Sequence, residues 1–208
     1  MATNDPAVSA ALRTEFGEID IYLFDQILRG RFDRRRRVLD AGCGAGRNLP
    51  FFLRHPFEVR AVDADAAAIR SVRQLVASLH PALPPNHIHC GPLDSLPWED
   101  GSNDAVICSA VLHFAAGERE FAAMLEEMWR VLAPGGLFFA RLATSIGLER
   151  HLTRPSGRVR LPDGSERFVV DERTLLQWTS RLGGTLADPL KTTNVQNMRC
   201  MTTWVMEK

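Results

Sequence analysis

The sequence predicts an α/β fold in which a mostly parallel sheet packs between layers of helices. Short apolar runs that end in glycine or acidic residues alternate with longer stretches whose apolar residues recur every three or four positions. A glycine turn follows the first of the apolar runs. The length of 208 residues suits one domain of this kind with a sizeable core.

Composition limits the classes of function. Lys and Arg total 25 and Asp and Glu total 25, so the net charge of zero gives no reason to expect a nucleic-acid or membrane partner. The 4 cysteines have no zinc-site spacing and do not form a dense disulfide framework, which indicates reduced thiols in a cytoplasmic protein. Met1–Ala11 shows no signal-peptide pattern, and no apolar stretch is long enough to cross a bilayer.

The region before the first strand is predicted to be helical. Between residues 10 and 28, apolar residues recur at spacings of three and four, and Gly17 predicts a break into two helices. Asp20 and Tyr22 are candidates for facing a ligand site, but we favour a position on the helix surface for Asp20 and ordinary packing for Tyr22.

The stretch that organises the chain is Val38–Asn48, which reads VLDAGCGAGRN. Its first residues favour a buried strand, and a helix can begin after its last. Gly42, Gly44 and Gly46 permit a sharp turn and the close approach of a ligand to the backbone. A strand, a glycine turn and a helix are how an α/β fold offers backbone N–H groups to a nucleotide-like ligand.

The spacing of the glycines argues against a dinucleotide site. Such a site is written G-x-G-x-x-G, whereas this turn reads G-x-G-x-G with Arg47 at the place of the third glycine. Asp40 also stands two residues before the first glycine. The segment from Asp40 to Gly46 resembles motif I of the class I, Rossmann-like methyltransferases that use S-adenosylmethionine. In that family the turn wraps the methionine end of the cofactor.

Two further segments resemble the same family. Residues 91–104 are similar to a segment written G-D-A-x-x-L-P-F-x-D-x-S-F-D, and residues 128–138 to the family's R-x-L-x-P-G-G marker. The acid that commonly holds the adenine amino group falls on Pro92, which cannot serve, so Leu93 through its backbone and Asp94 are the remaining candidates. The resemblance implies a seven-stranded sheet with an antiparallel last strand.

The resemblance also implies cofactor contacts at the ends of three strands. Asp63 ends the second apolar run, where an acid can accept hydrogen bonds from both ribose hydroxyls, and Ala64 would lie against the adenine. Asp65 is better explained as the N-cap of the following helix. The full set of predicted cofactor-binding residues is Asp40, Gly42, Cys43, Gly44, Gly46, Arg47, Asn48, Asp63, Ala64, Leu93, Asp94 and Ser109.

Candidates for the acceptor side follow the fourth and fifth strands. His113 is a candidate general base for an acidic proton, or a histidine that only packs near the loop. Arg141, His151 and Arg154 are candidates for binding an anionic substrate, or solvated side chains. His-x-His at positions 87–89 has no further ligand at a suitable spacing, so we expect no metal site.

We expect one methyltransferase domain over residues 1–208. Its parts are an N-terminal cap helix over 10–30, a cofactor-binding core over 37–142, a lid or insert over 143–170, and a last helix with a closing hairpin over 171–208. Within the lid, two runs are predicted to pair around Pro162-Asp163-Gly164, which is a turn sequence.

The resemblance implies methyl transfer from S-adenosylmethionine to a small-molecule acceptor, by a monomer or homodimer with no nucleic-acid or membrane partner. It points to the small-molecule, methyltransferase-11 and tellurite-resistance-like group. Two alternatives stay open. A nicotinamide-dependent oxidoreductase is disfavoured by Arg47 and by the final hairpin, whereas a non-catalytic S-adenosylmethionine-binding protein is compatible with the departure at Pro92.

Overall fold

The computed structural model describes residues 6–208, with side chains from Val8 onward, so the expectation over Met1–Ala11 lies partly outside the described residues. The helices are α1 (Pro6–Phe16), α2 (Ile21–Leu28), α3 (Leu49–Arg54), α4 (Ala66–Leu79), α5 (Glu118–Val131) and α6 (Glu172–Arg181). The strands are β1 (Arg37–Ala41), β2 (Glu58–Asp63), β3 (Ile88–Cys90), β4 (Asn103–Ser109), β5 (Leu132–Ala143), β6 (Gly157–Arg160), β7 (Glu166–Val169), β8 (Thr185–Leu186), β9 (Lys191–Val195) and β10 (Arg199–Glu207).

The main sheet has the order β3-β2-β1-β4-β5-β10, and β8 and β9 share the position outside β10. The first five strands are parallel to one another, and β10 runs antiparallel to β5. The predicted mostly parallel sheet with an antiparallel last strand is therefore confirmed. Pro189 lies between β8 and β9, where the missing N–H of proline interrupts the edge of the sheet.

Helices cover both faces of this sheet. Side chains of α2, α3 and α4 pack with alternate residues of the central strands, such as Val38, Ile107 and Phe139. Residues of α5 and α6 pack with the alternate set, such as Leu39 and Val106. This alternation is the period of two that a strand imposes, and it produces a three-layer arrangement with two apolar cores.

The predicted break within the first helical region is confirmed, because Gly17 (φ +64°) separates α1 from α2. The fifth strand, β5, includes the Pro-Gly-Gly segment of the family marker. It begins at Leu132 beside Asn103 and contains a register shift before Leu137, because the Pro-Gly-Gly segment forms an irregular part of the strand rather than a loop.

Two hairpins lie at the end of the sheet where β5 reaches its carboxyl end. The predicted pairing within residues 157–170 is confirmed by the antiparallel pair β6–β7, which a bridge between Thr144 and Val170 joins to the end of β5. β9 and β10 form the closing hairpin, with Gln196 and Asn197 at positive φ (50° and 57°) in the three-residue turn between the paired Val195 and Arg199. Both turns therefore lie near the carboxyl end of β5.

Asp104 joins the start of β4 to the start of β1. Its carboxylate accepts the backbone N–H groups of Arg36 and Arg37 (2.9 Å each) and the Nε of Arg37 (3.0 Å). These bonds satisfy donors that precede the β1 ladder and hold the two central strands in register.

We expect Asp104→Ala to lower the free energy of unfolding by about 2–4 kcal/mol, because it removes several charge-assisted hydrogen bonds from a partly buried site. Asp100→Ala removes an exposed carboxylate that pairs with Arg130 and is expected to cost about 1 kcal/mol or less. Urea unfolding of both variants checks this. Equal losses would contradict the role given to Asp104.

Candidate active site

The candidate site lies where the strand order reverses. β1 is followed in sequence by β2 on one side, whereas β4 lies on its other side, so a crevice opens beyond the carboxyl ends of β1 and β4. In open α/β sheets ligands bind at this switch point. A cavity of about 720 Å³ occupies the crevice and extends towards the β6–β7 and β9–β10 hairpins.

The glycine turn forms the floor of one end of the cavity. The N–H groups of Gly42 and Cys43 donate to the carbonyl of Val62 (2.8 and 3.0 Å), which holds the turn against β2. A Cβ atom at Gly42 would lie 2.4 Å from Cγ2 of Val111, so only glycine permits this approach. At Gly44 (φ +54°) a Cβ atom would meet nothing within 4 Å, because this part of the turn faces open space.

Asp63 joins the glycine turn to the end of β2. One carboxylate oxygen accepts the N–H of Gly44 (2.8 Å), and the other accepts the N–H of Asp65 (2.9 Å). The carboxylate is half-buried and lines the cavity. Asp65 caps α4 through the N–H of Ala67 (2.8 Å), which confirms the predicted N-cap.

Asp40 lies beneath the turn with its carboxylate fully buried. Neither carboxylate oxygen has a hydrogen-bond partner among the described residues, although the Asn48 amide lies near enough to favour the ionised form. Burial raises the pKa of Asp40 to about 7, against the opposing effect of the Arg47 charge. A buried acid without a partner is costly unless a cation or a proton neutralises it.

A network of polar groups lies beside the cavity near α2. Asp20 caps α2 by accepting the N–H of Tyr22 (3.0 Å). Its second oxygen accepts the Ser109 hydroxyl (2.8 Å) and lies 3.4 Å from both Arg47 and Arg141. Arg47 also donates to Ser109 (2.7 Å). The expectation that Asp20 lies on the helix surface is wrong, because the cap and these donors hold its carboxylate inside, 2% exposed.

His113 lies at the other end of the cavity, 5% exposed. Its Nδ1 accepts the N–H of Ala143 (3.2 Å). Burial, with the charges of Arg167 and Arg141, lowers the pKa of His113 to about 4. The ring is therefore neutral near pH 7, with its proton on Nε2, which has no protein partner among the described residues.

Ala110 introduces backbone strain beside the site. It has φ +66° in the turn after β4, where its N–H donates to the carbonyl of Arg141 (2.7 Å). A left-handed conformation is uncommon for a residue with a Cβ atom and clusters at functional sites. Nothing in the sequence marked this position.

Arginines and apolar side chains form the rest of the cavity wall. Arg141 comes from β5, Arg167 from β7, and Arg199 from the start of β10. Of the three residues predicted to bind an anion, only Arg141 lines the cavity, and His151 and Arg154 do not. Arg167 and Arg199 were not predicted, because their placement depends on the two hairpins.

Most of the predicted site residues come together in this cavity. Those that line it are Gly42, Cys43, Gly44, Arg47, Asn48, Asp63, Ser109 and His113. Gly46 instead lies against the packed side chains of α3 and α4, where a Cβ atom would be 3.1–3.2 Å from Leu75, Leu49 and Val72. Burial raises the pKa of Cys43, so its thiol stays protonated.

Three predicted adenine contacts lie outside the cavity wall. Ala64 and Asp94 are exposed, and the Leu93 side chain is buried in the apolar core. Their assignment came from family positions, and the acid of the family is replaced here by Pro92. Their roles stay predictions.

The fold and the site define an α/β protein with a nucleotide-like ligand site at the switch point of its sheet. A family model described as a methyltransferase domain matches residues 39–140. An uncharacterized methyltransferase from Mycobacterium tuberculosis H37Rv is 30% identical over 158 residues, which are 71% of this chain and 59% of that protein. A tRNA 5-carboxymethoxyuridine methyltransferase from Escherichia coli K12 is 28% identical over 127 residues, which are 61% of this chain and 48% of that protein.

This chain thus spans 48–59% of the length of these relatives. The solved 1,6-didemethyltoxoflavin-N1-methyltransferase of Burkholderia thailandensis, with bound S-adenosylhomocysteine, superposes with a TM-score of 0.69 and 19% identity, covering 100% of this chain and 92% of that one. The chain belongs to the class I methyltransferases, and the cofactor of this class is S-adenosylmethionine.

The residues present fit that cofactor. Asp40 lies unpartnered beneath the turn and does not itself line the cavity, and a cationic ligand above the turn would favour its ionised form. The open side of Gly44 leaves room for a ligand against the backbone. Among residues 6–208, no three potential metal ligands lie together, and no helix is long and apolar enough to cross a membrane.

We expect the titration of Asp40 to lower the free energy of unfolding of the cofactor-free protein between about pH 4 and pH 7, against an opposing contribution from His113, whose lowered pKa favours the folded state as the pH rises above about 4. The pKa of Asp40 is near 7 when folded and about 3.9 when unfolded, so the folded chain holds the extra proton and the free energy of unfolding falls as the pH rises. Asp40→Asn removes this dependence and stabilises the free protein above pH 7, by an upper limit on the order of 4 kcal/mol.

Urea unfolding at pH 5 and pH 8 measures the effect, with the exposed Asp94→Asn as the control. A variant at position 40 that keeps the wild-type pH dependence would contradict the titration of Asp40.

Proposed function

We propose that this chain transfers a methyl group from S-adenosylmethionine to a small organic acceptor. One observation carries the proposal: a single cavity joins the glycine turn and Asp63 at one end to His113, Phe114 and Arg141 at the other. Cofactor and acceptor would therefore share one cavity, as direct group transfer requires.

The cofactor supplies a methyl group that is already activated by its positively charged sulfur. The chain then needs to hold the acceptor in line with the bond that breaks and to exclude water. Such positioning lowers a barrier by roughly 7–11 kcal/mol. The residues available for it are Phe114, which is exposed at the cavity, and the β6–β7 hairpin, which contributes Leu161 and Ser165 to the wall.

The contacts of His113 support a positioning role over that of a general base. Nδ1 is already engaged with the N–H of Ala143, and a pKa of about 4 makes the ring a weak base near pH 7. The Nε2–H group is available to donate a hydrogen bond to the acceptor. A general base is required only if the acceptor must lose a proton.

The neutral net charge supports a small acceptor over a nucleic acid. The relative from E. coli is named for a modified uridine of tRNA, which makes RNA the competing acceptor. Binding of RNA rests on a broad basic surface that neutralises many phosphates, whereas the arginines of this site lie in one cavity.

We expect Asp63→Ala to weaken binding of S-adenosylhomocysteine by roughly tenfold or more, because a charge-assisted hydrogen bond contributes roughly 1.5–3 kcal/mol. Asp65→Ala, two residues away, removes a helix cap outside the cavity and is expected to leave this affinity unchanged. Calorimetric titration of the two variants and the unmodified protein measures the difference. Equal affinities of the Asp63→Ala and Asp65→Ala variants for S-adenosylhomocysteine would contradict the role assigned to Asp63.

A second test follows the methyl group itself. The protein is incubated with S-adenosylmethionine labelled on the methyl group, together with either a low-molecular-weight metabolite extract or total tRNA. We expect label in the small-molecule fraction and its loss in Asp63→Ala. Label in tRNA alone would overturn the small acceptor, and label in neither fraction would favour a protein that binds the cofactor without transferring it.

A further inference from the structure

We propose that the acceptor carries an anionic oxygen group, a carboxylate or a phosphate, which Arg141, Arg167 and Arg199 bind at the end of the cavity away from the glycine turn. The proposal deepens the proposed function and rests on it for the identity of this ligand as the acceptor.

The cavity has an excess of positive charge that the whole chain lacks. Four arginines and two aspartates line it, whereas the net charge of the chain is zero. Asp63 and Arg47 belong to the glycine-turn end. At the other end, three arginines face one carboxylate, that of the exposed Asp163.

The three arginines come from distant parts of the sequence and converge on one place. Ser109, Arg141 and Thr203 are neighbours across β4, β5 and β10, so Arg141 lies on the same sheet face as Ser109. Arg167 lies on β7, and Arg199 begins β10 after the tight turn. Arg167 stacks over Phe114, whose ring centroid lies 4.6 Å from that of His113. Arg141 lies two residues before Ala143, whose N–H donates to His113.

These guanidinium groups are only partly neutralised within the protein. Arg167 donates to a backbone carbonyl and stacks over Phe114 at 4.9 Å. The Arg199 side chain makes no hydrogen bond or ion pair within residues 6–208, although Asp163 lies on the same cavity wall. Arg141 lies 3.4 Å from Asp20, and its Nε is buried without a partner. Arg141 also lines the cavity, so the other donors of its guanidinium group can meet a ligand that accepts hydrogen bonds.

Arg130 shows the contrasting case of an arginine that is paired within the protein. Arg130, which lies outside the cavity, donates to Asp100 and Glu127 at 2.7 Å each. A guanidinium group pairs with a carboxylate or a phosphate through two parallel hydrogen bonds. The guanidinium groups of Arg141, Arg167 and Arg199 keep free donors around one cavity, which suits an anion that the protein itself does not provide.

The apolar residues beside the three arginines indicate what the rest of the acceptor is like. Phe114 is 59% exposed, and Leu161, Val195 and Met201 line the same end of the cavity. The guanidinium group of Arg167 lies over one face of the Phe114 ring, which holds the arginine side chain in place. The same ring offers an apolar surface for a flat ligand. The structure thus favours a small acceptor with an apolar body and an anionic group.

The test titrates the protein, saturated with S-adenosylhomocysteine, with inorganic phosphate, acetate and neutral acetamide. NMR signals of the His113 ring report binding, because the ring lies among the arginine charges. We expect phosphate or acetate to shift these signals in a saturable way, more weakly at high salt, and acetamide to leave them unchanged. The anion that binds more tightly distinguishes a phosphate from a carboxylate acceptor.

The double variant Arg167→Gln/Arg199→Gln is expected to weaken anion binding by roughly tenfold or more, through the loss of charge-assisted hydrogen bonds. Arg160→Gln is the matched control, because Arg160 is exposed on the same β6–β7 hairpin and outside the cavity. Both residues of the double variant have exposed or half-buried side chains, so the variant should fold, and its thermal unfolding is compared with that of the control.

Failure of the anion site can be told apart from failure of the proposed function. Binding of neither anion, an equal response to acetamide, or equal anion affinity in the double variant and the Arg160→Gln control would overturn the proposal. Titration of S-adenosylhomocysteine into the same variants separately tests the cofactor end, and we expect no change there. If the unmodified protein does not bind that compound, the same anion titrations on the free protein still decide whether the arginines form a site.

Discussion

The hydrogen bond from the N–H of Gly44 to the carboxylate of Asp63 holds the glycine turn to the end of the neighbouring strand, and the site depends on it. The bond requires a turn tight enough to bring the backbone of β1 back over β2, which the glycines permit. Two more bonds to the carbonyl of Val62 secure the same approach. Because the turn is held in this way, its open side is available to a ligand without any rearrangement.

The site also concentrates buried charge, at a cost to the stability of the free protein. Asp40 lies fully buried without a partner, and Asp20 is held by two arginines, a serine hydroxyl and a helix cap. A core that served stability alone would not retain an unpartnered acid beneath a backbone turn. The same acid suits a cationic ligand, so its cost is consistent with a role in binding rather than in folding.

The parts of the fold that sequence could predict are those with a local physical signal. The glycine turn, the acid that ends β2 and the Asp65 cap each follow from neighbouring residues, and the structure contains all three. The arginine end of the cavity has no such signal, because Arg167 and Arg199 are brought there by two hairpins. Arg141 is the exception, since a charge at the inward position after Leu137 and Phe139 breaks the apolar alternation of β5.

The one misplaced expectation, that for Asp20, also has a physical reason. Asp20 was assigned to the surface because an acid beside a helix is usually solvated, whereas a capping acid can be buried when arginines surround it. Leu93 and Asp94 stay predicted adenine contacts, because the family position that carries this contact is Pro92 here and no local signal replaces it. Similarity to the family predicts the fold of this chain better than it predicts individual side-chain contacts.

A crystal structure of the complex with S-adenosylhomocysteine tests the central claim most directly, through the position of the sulfur atom. We expect the ribose hydroxyls on Asp63, the methionine end against the turn from Gly42 to Gly44, and the sulfur facing the cavity end that holds His113 and Arg141. A complex in which the compound lies elsewhere, or in which the sulfur faces away from the arginines, would contradict the shared cavity for cofactor and acceptor.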